Sequence, residues 1–326
     1  MKRKPRLIVI PPQHLGHELH VSRSIVCYMY KGGYISPALG DVIMTGLSDR
    51  KFFYEGFFDA SRVMDFSQLP GLKHPIRPPK TLDEYLNLES DFFLKFQVFE
   101  DFQIINLKDY AAPQTYCTLT TSDEMRAINY DVPSRYYDEK FIQISKNFNF
   151  LKNEEVGKFI PNSSQLFIVI HHRYGSSIEK LIKICSKFPD EVLKIIFTSN
   201  AAELSLQLDG VQNISVIDNL RTYATLLRDE RCRLLISEWS GGGQISQYTL
   251  GPQGVVWYYY DHYPDLFNFT MTHWIWELNA TLGTYFNCWD FKCPSGCKIQ
   301  HFNNLPHDIS ITFYYFFINL FTYVGL

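Results

Sequence analysis

Apolar residues along this chain fall into short runs that stop abruptly at polar or glycine-rich sequence. Phe167 to Tyr174 reads F-I-V-I-H-H-R-Y, a run suited to a buried strand that ends in His171, His172 and Arg173. A helix-like stretch follows from about Ser176 to Phe188. A second strand is expected over Leu193 to Thr198, ending in Ser199 and Asn200. A third, Leu234 to Ile236, runs into Glu238-Trp239-Ser240-Gly241-Gly242-Gly243. Strands with polar C-terminal ends and helical stretches between them predict a parallel sheet whose carboxyl edge binds a ligand.

The first half repeats this logic. A strand is expected at Leu7 to Ile10, then a polar loop from Pro11 to His20, then a helix from about Val21 to Tyr30. Gly32-Gly33 stops that helix, as glycine does just past a helix C-terminus. Tyr34 to Leu39 reads as the next strand and Phe102 to Leu107 as a later one. Glu139 to Asn149 looks helical, and Leu69 to Thr81, rich in proline and basic residues, reads as a surface loop. The boundary falls near residues 150–164. The expected fold class is α/β: an N-terminal domain over 1–160 and a C-terminal domain over 161–326 that binds a phosphorylated, nucleotide-linked ligand, two Rossmann-like halves facing one another across a cleft.

Composition narrows the function. The chain has 326 residues, 46% hydrophobic and 20% charged, with a formal net charge of −3. That balance argues against a nucleic-acid binder. Aromatic residues reach 16%, which fits a large aromatic core or an aromatic-lined sugar or base pocket. The apolar run after the basic N-terminus is too short for a signal-peptide core, so a cytoplasmic location is expected. The tail from Ile309 to Leu326 is rich in Phe and Tyr. It is borderline in length and polarity for spanning a membrane, and reads rather as a buried terminal helix or as an interfacial segment in peripheral contact with a membrane. Cys27, Cys117, Cys185 and Cys232 read as reduced core thiols. Cys288, Cys293, Cys297 and His301 could hold a tetrahedral zinc, the alternatives being surface thiols or a disulfide.

The candidate chemistry sits at the strand ends. A guanidinium such as Arg173 can fork onto phosphate oxygens and stabilise the charge that grows as a diphosphate departs. His171, two residues earlier in a strand, should share its face. Ser240, Gly241 and Gly242 would let backbone approach a phosphate, beside a helix expected to start near Gln244. In the first loop Glu18, or His17 in its place, is a candidate general base; helix capping is the alternative. Asp218 could accept hydrogen bonds from a guanine edge or cap the helix beginning near Leu220. There is no D-x-D triplet, so no metal ligands and no cofactor are expected. There is also no G-x-G-x-x-G after the first strand and no G-x-S-x-G.

Four segments together resemble the GDP-fucose-dependent fucosyltransferases of the protein O-fucosyltransferase type. They are G-H-E-L-H-V-S-R-S-I-V-C-Y-M-Y at 16–30, F-F-Y-E-G-F-F-D-A-S-R-V-M-D-F at 52–66 and I-H-H-R at 170–173, and I-D-N-L at 217–220 with L-I-S-E-W-S-G-G-G-Q at 235–244. The family commonly carries Asn beside its first glycine, where this chain has His17-Glu18 after Gly16. The resemblance implies a GT-B fold and an inverting, metal-independent transfer of fucose from GDP-fucose to a glycan or protein hydroxyl. It implies that Arg173 meets the diphosphate, Asp218 the guanine, and Ser240 and Gly241 the phosphates. The donor-binding set is then Gly16, His171, Arg173, Asp218, Ser240, Gly241 and Gly242, and the catalytic set Glu18, His17 and Arg173. Two other readings stay open: a catalytically silent sugar-nucleotide or glycan-binding relative, and a membrane-associated structural protein working through its tail.

Overall fold

The computed structural model describes residues 3–10, 12, 15–66, 101–107, 147–160, 162–173, 177–208, 210–238, 240–249, 255–260, 286–287 and 301–303. The chain divides into two compact units, Met1–Asn149 and Phe150–Leu326.

The first unit is built on four parallel strands: β1 (Arg6–Ile10), β2 (Val42–Thr45), β3 (Val63–Asp65) and β4 (Gln103–Asn106), in the order β3-β2-β1-β4. Leu7 to Ile10 and all of β2 are buried. Such unbroken apolar runs are what a parallel sheet covered on both faces requires. The Asp41 carboxylate, fully buried, ties the edge of this sheet together. It accepts from the backbone N–H of Arg6 at 2.7 Å and of Ser36 at 2.7 Å, and pairs with the Arg3 guanidinium at 2.6 Å.

Two expectations fail here. The strand placed at Tyr34 to Leu39 lies instead at Val42–Thr45, and Pro37–Leu39 forms a 3₁₀ turn. Pro37 and Gly40, the latter at φ 82°, break the extended run, and Tyr34 and Leu39 are exposed. The loop expected from Pro11 to His20 is helical from Leu15 onward. Helix α1 (Leu15–His17) passes through a π-helical turn (Glu18–Ser22) into α2 (Arg23–Lys31). The run of His and Glu side chains hid a helical pattern in which Leu19, Ser22, Val26 and Met29 are buried. The glycine stop behaves as read. Gly33, at φ 70°, donates to the Tyr30 carbonyl, and Tyr34 donates to that of Met29, a Schellman arrangement.

Helix α3 (Phe52–Glu55) packs its aromatic face inside this unit. Residues 147–149, expected to end a helix, have no helical structure and lie across α3. Asn149 N–H donates to the Phe52 carbonyl at 3.0 Å, and its amide donates to Glu55 at 2.9 Å. The buried Arg23 donates to the carbonyls of Phe53 at 3.0 Å and Asn147 at 3.1 Å and stacks over the Phe148 ring at 4.0 Å. Gly56 sits directly under this segment, and a methyl there would overlap the Asn147 carbonyl and lie against the Phe148 backbone. Because the obstacle is main chain, Gly56→Ala should cost about 3 kcal/mol, at the upper end for overpacking. Urea unfolding measures it; an unchanged midpoint would contradict this packing.

The second unit has strands β5 (Phe167–His171), β6 (Leu193–Phe197), β7 (Ile214–Ile217), β8 (Cys232–Glu238), β9 (Val255–Tyr260), β10 (Phe286–Asn287) and β11 (His301–Asn303), all paired in parallel. The order is β10-β9-β8-β5-β6-β7, with β11 also on β9. Helix α5 (Ile178–Cys185) is capped by Ser177 and covers one face, where Leu181 and Ile184 pack with Ile168, Ile170, Ile196, Leu234 and Ile236. Helices α6 (Ala201–Gln207) and α7 (Leu220–Arg228) follow β6 and β7. A short helix α4 (Asn153–Val156) precedes β5. The zinc candidates Cys288, Cys293 and Cys297 and the tail from Ile309 lie outside the described residues, as does the loop from Leu69. Among the described residues no His/Cys/Asp/Glu group could hold a metal, and no helix is long and apolar enough to cross a membrane.

Candidate functional site

Sheet topology singles out one edge in the second unit. Taken in chain order, β5 to β9 lie as 3-2-1-4-5. The chain leaves β5 toward β6 on one side, and β8 pairs on its other side. This is the topological switch point of a doubly wound sheet, where the connections diverge and open a crevice beyond the strand carboxyl ends. The two strands flanking it end in His171-His172-Arg173 and Ser237-Glu238. The glycine turn, a short helix α8 (Gly241–Gln244) continued by α9 (Ser246–Thr249), follows β8 directly. Two of the sequence-predicted segments, that ending in His171-His172-Arg173 and that running from Leu234 into the glycines, therefore meet at this edge.

His171 is the buried centre of this edge. Its Nδ1 lies 2.9 Å from the Ser237 hydroxyl and 3.4 Å from that of Ser240. Its ring stacks with Phe197 at 5.6 Å and lies 6.0 Å from Tyr223. Gly242 packs so closely on it that any Cβ there would overlap the imidazole. Burial, and then the nearby His172 and Arg173, push the His171 pKa down to about 3. The ring is therefore neutral, and it supports the glycine turn from beneath. Gly242→Ala would drive a methyl into a ring already held on two sides, and should destabilise the unit by about 1–3 kcal/mol, read from a urea midpoint.

The same shift sets a pH dependence. Between pH 6.5 and about 3 the unfolded chain binds a proton at His171 that the native ring refuses. The stabilisation is thus complete above the unfolded value and lost as pH falls, amounting to about 2 kcal/mol by about pH 5. A His171→Gln chain should lack that part of the acid destabilisation. Parallel stability–pH curves for the two proteins would contradict it.

Arg173 is half-buried, immediately beyond β5. Asp218 is exposed at the end of β7 and makes no hydrogen bond or ion pair among the described residues. It does not cap α7; the Asn219 side chain does, accepting from the Thr222 N–H at 2.9 Å. The helix expected near Gln244 begins at Gly241, so Gly241, Gly242 and Gly243 are helical and not a loop.

In the first unit the order β3-β2-β1-β4 places an equivalent switch point beside β1, and Glu18 lies on the helix that follows β1. Single π-helical turns inside α-helices recur at functional sites. Glu18 is fully buried. Its Oε1 accepts from the Tyr54 hydroxyl at 3.1 Å. Its Oε2 is 3.6 Å from the Arg50 Nε, and both of these atoms lack a hydrogen-bond partner. Burial pushes the Glu18 carboxyl up to about 8, against the pull of Arg50 and the Tyr54 hydrogen bond. Gly16 is half-buried and His17 is helical, both in α1.

Sequence reading passed over Ser237, Tyr223, Tyr54 and Arg50. Ser237 could have been found, since a lone hydroxyl interrupts the apolar strand L-L-I-S-E. Tyr223 gave no signal: it lies mid-helix, 19 residues from the Gly242 carbonyl it meets.

No protein-family model and no curated protein sequence matches the chain. Among solved structures it is similar to the ADP-heptose lipopolysaccharide heptosyltransferase II of E. coli, at 12% identity and a TM-score of 0.45, covering 85% of this chain and 98% of that one. The E. coli heptosyltransferase WaaC with ADP shares 11% identity at a TM-score of 0.41, over 84% of this chain and 98% of that one. The fucosyltransferase NodZ from Bradyrhizobium shares 13% at a TM-score of 0.35, over 76% of this chain and 93% of that one. All three scores are low, and the α/β fold class stands on this chain's own two parallel sheets.

Proposed function

We propose that this chain is a glycosyltransferase that moves a sugar, fucose, from GDP-fucose to a hydroxyl of a glycan or protein acceptor, with inversion and without a divalent metal. The observation that carries the reading is the switch point of the second unit. It brings Arg173, Ser240 and the Gly241–Gly242 backbone to one sheet edge, with the exposed Asp218 carboxylate at the end of β7. Cation, hydroxyl and glycine backbone suit a diphosphate. An open carboxylate suits the paired N–H donors of a guanine.

In this reaction the acceptor oxygen bonds to the anomeric carbon as the bond from that carbon to the diphosphate breaks. Arg173 takes up the charge developing on the departing GDP, and the acceptor proton passes to Glu18 or His17. With its carboxyl pushed up to about 8 by burial, Glu18 acts as the base in its ionised fraction, so transfer should rise with pH up to about 8. Incubation with GDP-fucose and no acceptor should release GDP slowly, and release should persist in excess EDTA. Loss of turnover on chelation, restored by manganese or magnesium, would replace this mechanism with a metal-dependent one.

One observation favours a second reading. Glu18 has no exposed surface, and an acceptor hydroxyl must reach its base. A silent relative that binds the donor and does not transfer would bind GDP-fucose and release no GDP.

A further inference from the structure

Two side-chain hydroxyls meet carbonyls of the short Gly241–Gln244 helix. The Ser246 hydroxyl donates to the Gly243 carbonyl at 2.7 Å, and the Tyr223 hydroxyl donates to the Gly242 carbonyl at 3.0 Å. Tyr223 comes from a different element, α7, and is fully buried. Its ring lies face to face with Phe197, centroids 4.1 Å apart and planes 7° apart. Phe197, the last residue of β6, is in turn stacked with His171, the last residue of β5. His171 closes the circuit from below, against Gly242 and between the hydroxyls of Ser237 and Ser240.

Two rings, His171 and Tyr223, thus meet Gly242, and Phe197 stacks with both of them. A buried tyrosine hydroxyl needs a hydrogen-bond partner, and here that partner is the Gly242 carbonyl of the turn after β8. We propose that Tyr223 is a positioning residue of the donor site: through the Tyr223–Phe197–His171 stack it fixes the Gly242 backbone, so that the turn is already set to receive a nucleoside diphosphate. It touches no substrate itself, and it acts through the turn. The choice of ligand rests on the donor reading above; the brace itself does not.

The test is Tyr223→Phe in the full chain, which removes one oxygen and keeps the ring stack. Without ligand, amide hydrogen exchange should quicken at Gly241–Gln244 and stay unchanged within Leu220–Arg228. GDP binding by calorimetry should weaken about 5-fold, the worth of one hydrogen bond. In turnover of GDP-fucose, KM should rise with kcat little changed. Unaltered exchange at the turn would overturn the brace. Faster exchange with unaltered GDP affinity would overturn its role in donor binding. Should the wild-type chain bind no nucleoside diphosphate, the donor reading falls, and faster exchange confined to the turn would still support the brace.

Discussion

Glu18→Gln is expected to lower sugar transfer by about 10²- to 10⁴-fold while leaving GDP affinity near that of the wild type. The substitution keeps the shape of a fully buried side chain and its acceptor for the Tyr54 hydroxyl. What it removes is the ability to take a proton. Between pH 4.5 and about 8 the native carboxyl retains a proton that the unfolded chain has released, so this group lowers stability as pH rises through that window. Glu18→Gln should therefore be more stable than the wild type at the upper end of the window, even as transfer falls. The comparison that decides the base is His17→Asn, assayed for both GDP binding and transfer. Normal transfer in Glu18→Gln with loss in His17→Asn would move the role to the histidine. Normal transfer in both would remove this helix from the chemistry.

Arg173→Ala should cost about 10²- to 10³-fold in transfer, the usual consequence of deleting a fixed donor from a developing anion. Arg173→Lys keeps the charge and loses the fork, so a fall of about 10-fold or more is expected. The effect should appear in donor binding as well as in turnover. Thermal unfolding should confirm that both variants fold. Wild-type turnover by a folded Arg173→Ala chain would end the assignment.

The strands β5, β6 and β8 were legible in sequence because each is an apolar run ending in polar or glycine residues. The switch point was not. Strand order is set by tertiary pairing, and nothing local to Phe167–His171 says that Cys232–Glu238 will lie beside it. His17, Glu18 and His20 give a helical segment the polar composition of a loop. Glu18 is in fact buried, satisfied on one oxygen by Tyr54, 36 residues away. Tyr34 to Leu39 looked like a strand by composition, but its proline and the following Gly40 make a turn, and the buried strand starts beyond Asp41. Asp218 and Asn219 are both capping residue types by sequence, and it is Asn219 that caps the helix while the Asp218 carboxylate stays exposed.

The measurement that bears most directly on the proposed function is calorimetric titration of the wild-type chain with GDP, ADP, UDP and dTDP, repeated with Arg173→Ala and Asp218→Ala. Expected is one GDP per chain, bound more tightly than the other three. Arg173→Ala should weaken every diphosphate, because it faces the group they share. Asp218→Ala should weaken GDP alone and flatten the preference among bases. A folded wild-type chain that binds none of the four, or binds them with no response to Arg173→Ala, would contradict a nucleotide-sugar site at this sheet edge.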